Sequence, residues 1–202
     1  MKTLQVLAVS DRRHRALDEH FEKSRWRDID LVISAGDLDP GYLSFLVTLI
    51  PAPLVYVPGN HDQAYLRYPP EGCDSVDGRA LMVSGVLVAG LGGSAWYNGK
   101  ELQYTEKQMA GRVRRLTRRI RRWGRLDILV THAPPRDIHD QEDRCHRGFA
   151  SFRDILDRFH PQVLVHGHTH QIYRREDREM SVNGTRVINA CGYWRFSVQV
   201  ED

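Results

Sequence analysis

Five apolar runs in this 202-residue chain hand over, at their carboxyl ends, to side chains that hold cations or move protons. Leu4–Ser10 is followed by Asp11, Ile29–Ala35 by Gly36-Asp37, and Leu54–Pro58 by Gly59-Asn60-His61-Asp62. Ile128–Thr131 is followed by His132, and Val163–Val165 by His166-Gly167-His168-Thr169-His170. Open α/β sheets bind ligands in the crevice beyond the carboxyl ends of their strands. Ends lying side by side would gather Asp11, Asp37, Asn60, His132, His168 and His170 into one place, and the adjacent glycines permit sharp turns there. Carboxylate and amide oxygens mixed with imidazole nitrogens suit Mn, Fe, Zn or a similar divalent ion, whereas an all-oxygen cage would suit Ca. A shared carboxylate such as Asp37 could bridge two ions about 3.5–4 Å apart, the separation that clamps a phosphoryl group. Singly, Asp11 and Gly36-Asp37 read as turn or cap residues. Gly-Asn-His-Asp and Gly-His-Thr-His do not, because adjacent polar residues after a buried strand have no use in a core.

The elements that must hold these groups are legible as short runs rich in Val, Ile and Leu. Leu4–Val9, Ile29–Ser34, Leu54–Val57, Leu81–Val83, Val86–Leu91, Ile128–Thr131, Val163–Val165, Val187–Ile188 and Phe196–Val200 read as strands. Arg15–Lys23, Tyr42–Ile50, Glu106–Trp123 and Phe152–Phe159 read as helices. Thr105 with Gln108 forms a capping-box signature, and Ser151 with Asp154 a weaker cap. Ser84-Gly85 reads as the turn of a hairpin. The class is α/β with mixed sheets. No repeat or linker interrupts the chain, so one domain over residues 1–202 is the expectation.

Composition narrows the function classes. With 41% hydrophobic residues and 29 basic against 26 acidic side chains, the chain is neither disordered nor a strong polycation. No stretch approaches the roughly 20 apolar residues of a membrane span. The first residues run straight into an apolar strand without signal-peptide organisation. Cys73, Cys145 and Cys191 are odd in number and widely spaced, which points to a reducing, cytoplasmic setting.

The motifs Ser10-Asp11, Gly36-Asp37-Leu38-Asp39, Gly59-Asn60-His61-Asp62, Thr131-His132-Ala133-Pro134-Pro135 and Gly167-His168-Thr169-His170 resemble those of the calcineurin-like metallophosphoesterases, in the family's order. The resemblance implies a four-layer α/β/β/α sandwich with a two-metal site between loops. It implies Asp11, Asp37 and His170 around one ion, and Asp37, Asn60, His132 and His168 (backbone oxygen or ring) around the other. His61 would meet the scissile phosphate of a phosphomonoester or phosphodiester, attacked by a metal-activated water. Unassigned to any metal, His61 could protonate the leaving alkoxide. Asp62 could orient its ring or simply stabilise the turn.

One departure from that family is Arg13, where the first motif usually has His. An Arg has no lone pair for a cation. The favoured reading is a weakened first metal position; the others are His14 reaching in from a distorted turn, and Arg13 gripping substrate phosphate bidentately. The polar segment 134–149, with His139 and His146, is placed to line the substrate mouth. Eight arginines between Arg112 and Arg125 form a solvated face, track nucleic-acid phosphates or meet a partner protein. The expected substrate is therefore a small phosphorylated molecule, with a nuclease and a non-catalytic protein-interaction scaffold as the alternatives. No feature bears on oligomeric state.

Overall fold

The computed structural model describes residues 2–170 and 178–200. Strands β1 (Lys2–Ser10), β2 (Leu31–Ser34), β3 (Leu54–Tyr56), β4 (Asp74–Ser75) and β13 (Gly192–Val200) form one sheet in the order β13-β1-β2-β3-β4. Strands β5 (Ala80–Val83), β6 (Val86–Leu91), β9 (Ile128–Thr131), β10 (Val163–His166), β11 (Glu179–Val182) and β12 (Thr185–Asn189) form a second, ordered β11-β12-β10-β9-β6-β5. Both are mixed: the first is parallel except for antiparallel β13 at one edge, and the second is parallel inside with antiparallel β11 and β5 at its two edges. Two short strands, β7 (Ser94–Ala95) and β8 (Gln103–Tyr104), pair apart from them.

Alternation along the strands sets the layers, because successive side chains point to opposite faces. Leu4, Val6 and Ala8 of β1 join Ile33, Val55, Val88, Val130 and Val165 in a core between the sheets. Leu7 and Val9 point the other way, under Leu43 and Leu46 of helix α2 (Pro40–Leu49) and Trp26 of the short helix α1 (Lys23–Trp26). On the far side of the second sheet, Leu87, Leu129 and Leu164 meet α3 (Glu106–Ile120) and α4 (Ser151–Phe159). The result is the α/β/β/α sandwich. Each fully buried Leu or Val contributes roughly 1.5–3 kcal/mol. No helix among the described residues is long and apolar enough to cross a membrane.

Local signals succeeded where they matched packing. The capping box opens α3 as expected, and Met109, Val113, Leu116 and Ile120 form its buried stripe. The Ser84-Gly85 turn joins β5 to β6, with φ 53 and 92, the left-handed geometry of a tight hairpin. The helix expected over 15–23 does not form: a 3-10 turn covers Arg15–Leu17, and α1 begins only at Lys23. Leu17 alone is buried between Arg15 and Lys23, so no apolar stripe holds a helix against the sheet.

The cap of α4 also differs from expectation. Ser151 Oγ is buried without a partner, and the amides of Ala150 and Ser151 instead donate to the Glu106 carboxylate, both at 3.0 Å. One carboxylate in the first turn of α3 thus closes the start of α4. Glu106→Ala should cost about 1 kcal/mol, within the range of a lost helix cap, and lower Tm by about 2–4 °C. A thermal melt measures it, and an unshifted Tm would show that water replaces the carboxylate.

The topology aligns the strand ends. Val9, Ser34 and Tyr56 are neighbours across β1-β2-β3, and Val130 lies beside Val165 across β9 and β10. Asp11, Asp37 and Asn60 therefore leave one sheet along one edge, and His132 and His168 leave the other facing them.

Candidate metal centre

Asp11, Asp37 and His168 each take left-handed backbone angles, with φ of 62, 57 and 68. Few residues other than glycine adopt this region, Asp and His among the more tolerant. Such strain persists only where surroundings fix it. Here the Asp11 amide donates to Gly36 O at 3.0 Å, the Asp37 amide to Asp62 Oδ2 at 2.7 Å, and the His168 amide to Asp11 Oδ1 at 3.0 Å. The glycines are required by contact as well as by turning. A Cβ at Gly59 would lie 2.1 Å from Asp37 Oδ1, and one at Gly167 would lie 2.6 Å from Asp11 Oδ2.

Asp37, His132 and His168 offer donor atoms that lie within 4.8 Å of one another. His132 Nδ1 lies 2.8 Å from Ala35 O, which can only accept, so the proton sits on Nδ1 and Nε2 faces the site. That Nε2 lies 3.0 Å from Asn60 Oδ1 and 3.3 Å from Asp37 Oδ2. The Asn60 amide is pinned by Nδ2 donating to the Tyr97 hydroxyl at 3.2 Å, which turns its oxygen toward His132. His168 Nε2 donates to Cys145 O at 2.7 Å, leaving Nδ1 with the lone pair. Two oxygens and two imidazole nitrogens converge, each oriented by a partner outside the cluster, as a divalent ion's ligands are. The residues fit such an ion. Asp11 adjoins them through its bonds to the His168 amide and to His170 Nε2, the latter at 3.0 Å.

The charges agree with that reading. Burial disfavours ionised Asp37, but the His132 charge and hydrogen bond hold its carboxyl well below the usual range. Burial likewise disfavours charged His132, yet Asp37 outweighs it and raises the imidazole to about 9. Burial pushes His168 down to about 3, helped by the His132 charge, so its lone pair stays available. Burial raises Asp62 to about 6, with the Asp37 charge adding to it against the Gly59 amide bond. The Asp11 bond raises His170.

In the metal-free protein the raised pKa means that His132 carries a second proton, on Nε2, near neutral pH. The stability this supplies is complete below about pH 6.5 and is lost as pH rises through about 9. A cation must displace that proton. Mn²⁺ binding near pH 7.5 should release about one proton, and affinity should rise roughly tenfold per pH unit up to about pH 9. Calorimetry in two buffers of different ionisation enthalpy counts the protons; none released would refute His132 as a ligand.

The six expected ligand residues are brought together. His61 stands beside them, exposed, with its amide donating to Asp37 Oδ1 at 2.8 Å. The Asp62 carboxylate accepts from the Asp37 and Gly59 amides, both at 2.7 Å, tying two strand-end loops together. That is the turn-stabilising role; among the described residues no Asp62 bond to the His61 ring exists. The His146 ring lies 5.1 Å from that of His168 and bonds Asp143 at 3.0 Å. His139 turns toward buried His166, with Nδ1 2.8 Å from its Nε2. Arg13 spans Asp39 at 3.5 Å and Asp18 at 3.9 Å and lies over Tyr42. His14 does not reach in, because Nδ1 accepts from the Ala16 amide at 3.2 Å and the ring packs edge-on to Tyr193.

Sequence reasoning missed Tyr97 and the carbonyls of Ala35 and Cys145. A carbonyl carries no signature in residue type, and Tyr97 belongs to no motif.

A family model described as calcineurin-like phosphoesterase matches residues 7–172. Among solved structures, TT1561 of Thermus thermophilus is similar at TM-score 0.62 and 14% identity, over 94% of this chain and 90% of that one. GAP50, the anchor in the inner membrane complex of Plasmodium, is similar at TM-score 0.50 and 12% identity, over 94% and 71%. A single mutant of Vps29 from Entamoeba histolytica has TM-score 0.45 and 15% identity, over 93% and 74%. At these identities the first two are likenesses of fold. No curated protein matches the chain.

Proposed function

Because this chain belongs to the calcineurin-like phosphoesterase family, we propose that it is a metal-dependent hydrolase of a small phosphomonoester or phosphodiester. The observation that carries the reading is the convergence of Asp37, His132 and His168 donor atoms within 4.8 Å, with Asn60 Oδ1 beside them. Asp37, Asn60, His132 and His168 would hold one divalent ion, Mn, Fe, Zn or similar. Asp11, Asp37 and His170 would hold a second. Bound there, such ions supply positive charge to the phosphoryl oxygens and make water nucleophilic near neutral pH.

The protein's own groups do the rest. Asp62 fixes the relation of the Asp37 and Asn60 loops, and Tyr97 and Ala35 fix the Asn60 and His132 orientations. Exposed His61, one residue beyond Asn60, faces the solvent side where an ester would approach. There it hands a proton to the departing oxygen or stabilises charge on the phosphoryl group. His146, its ring tilted against that of His168, is the side chain of segment 134–149 placed to touch substrate. The first position keeps no imidazole from Arg13 or His14, so its ion is the more weakly held.

The nuclease reading loses support from the α3 surface. Arg112 pairs with Asp77 at 2.5 Å and donates to Gly92 O, Arg119 donates to Gly78 O, and Arg125 pairs with Asp127. Three of the eight arginines are engaged within the fold, although exposed Arg114, Arg115, Arg118, Arg121 and Arg122 keep nucleic acid open as a partner. The test is turnover of an aryl phosphodiester in Mn²⁺ by the wild type and by Asp37→Asn. Wild-type protein inactive in Mn²⁺, Fe²⁺ and Zn²⁺ alike would overturn the reading in favour of a scaffold.

A further inference from the structure

Beside the candidate metal centre, at the same end of β1, lies a cavity of about 520 Å³. Its walls carry three guanidinium groups (Arg25, Arg178, Arg195), His14, Cys191 and the rings of Tyr193 and Trp194. Ser10 pairs with Gly192 and bridges to Cys191, and Asp11 is the next residue along. His14 follows Asp11 by three residues, which limits their Cα separation to about 11 Å. One short stretch of chain therefore links a candidate metal ligand to the cavity wall.

Among the described residues, the cavity's positive charge is only partly compensated. Arg195 is neutralised by Asp28 at 2.6 Å. Among the described residues, neither Arg25 nor Arg178 pairs with a carboxylate. Both are held by neutral acceptors instead. Arg25 donates to the Tyr193 hydroxyl at 3.1 Å, and Arg178 donates through Nε to Asn189 O at 3.2 Å and through Nη2 to Cys191 O. A guanidinium has five N–H groups, so each keeps three or more for a ligand while its orientation is already fixed. Cation–π contacts add to that fixation, with Arg178 5.1 Å from the Trp194 ring and Arg25 5.2 Å from that of Trp26. Burial pushes the Cys191 thiol up to about 11, so it adds no negative charge. Burial, then the charges of Arg25 and Arg178, lowers His14, as expected where two cations share one space.

We propose that this cavity binds a second anionic group, phosphoryl or carboxylate, of a substrate whose scissile phosphate lies at the metal centre. The proposal rests on the phosphoesterase reading and deepens it: the preferred substrates carry a second anionic group besides the scissile phosphate. Preorganised guanidinium donors bind such oxyanions bidentately.

The test needs neither metal nor turnover. Chelator-treated wild-type protein is titrated at low salt with inorganic pyrophosphate and, separately, with succinate, following tryptophan fluorescence and heat. Saturable binding is expected, weakened at least about tenfold in Arg25→Gln and in Arg178→Gln, and unchanged in Arg122→Gln, in the exposed turn just beyond α3. Preference for pyrophosphate names a phosphoryl ligand and preference for succinate a carboxylate; either supports the site. No binding, or equal affinity in wild type and both cavity variants, overturns it. Arg25 is exposed, so its replacement leaves the fold intact even if Arg178→Gln loosens the β12–β13 turn. Because the readout is anion affinity, this proposal can fail while metal-dependent turnover stands, and the reverse outcome is equally readable.

Discussion

Replacing Asp37 by Asn should lower metal-dependent turnover of an aryl phosphodiester by at least about 10³-fold, with loss of bound metal. A cation that stabilises the transferring group supplies several kcal/mol, and each 1.4 kcal/mol is about tenfold in rate. Asp37 is the one carboxylate among the donors that face His132 Nε2, at 3.3 Å. Asn keeps nearly the same shape and the acceptor that receives the His61 amide at 2.8 Å. The Asp37 backbone amide, held by Asp62, is untouched. The loops therefore keep their fold, and what disappears is charge. A second readout checks this without metal. His132 stands at about 9 because Asp37 outweighs burial, the largest single influence on it. With that carboxylate neutralised, burial prevails and the ring should titrate below 6.5 when followed by NMR. Turnover within about threefold of wild type would mean that the chemistry lies elsewhere.

The candidate ligands were legible because their types are rare after apolar strands and because parallel strands must present their carboxyl ends together. Asp11, Asp37, Asn60, His132, His168 and His170 all follow that rule. What holds them was hidden, because orientation depends on partners far along the chain. The Asn60 amide faces His132 only because Tyr97 takes its NH₂ group, and His168 shows Nδ1 because a carbonyl at Cys145 takes Nε2. Asp62 read equally as partner of His61 or as a turn residue; two amides at 2.7 Å decide for the turn. The same division runs through the fold. Thr105 and Gln108 are neighbours in sequence, so their capping box could be read, whereas the Glu106 cap of α4 crosses 44 residues to the Ala150 amide and could not. The basic cavity escaped notice for that reason too. Arg25, Arg178 and Tyr193 share no motif; the pairing of β1 with β13 sets Tyr193 near Asp11, and Arg25 and Arg178 join it through bonds to the Tyr193 hydroxyl and the Asn189 and Cys191 carbonyls.

His61→Gln separates chemistry from metal binding. The His61 contribution to the cation site is made by its backbone amide, which donates to Asp37 Oδ1 whatever the side chain. The exposed imidazole makes no bond to the ligand set among the described residues, so metal content should be unchanged. Turnover of an alkyl phosphodiester should fall by about 10²–10⁴, the usual worth of a positioned acid. A p-nitrophenyl ester tests the assignment further, because its leaving oxygen needs little protonation and the loss there should be much smaller. An equal loss on both esters would place the imidazole on the transferring phosphoryl group rather than on the leaving oxygen. No loss on either, with wild-type metal content, would remove His61 from the reaction and leave Asn60 and Asp37 as the only working parts of that loop pair.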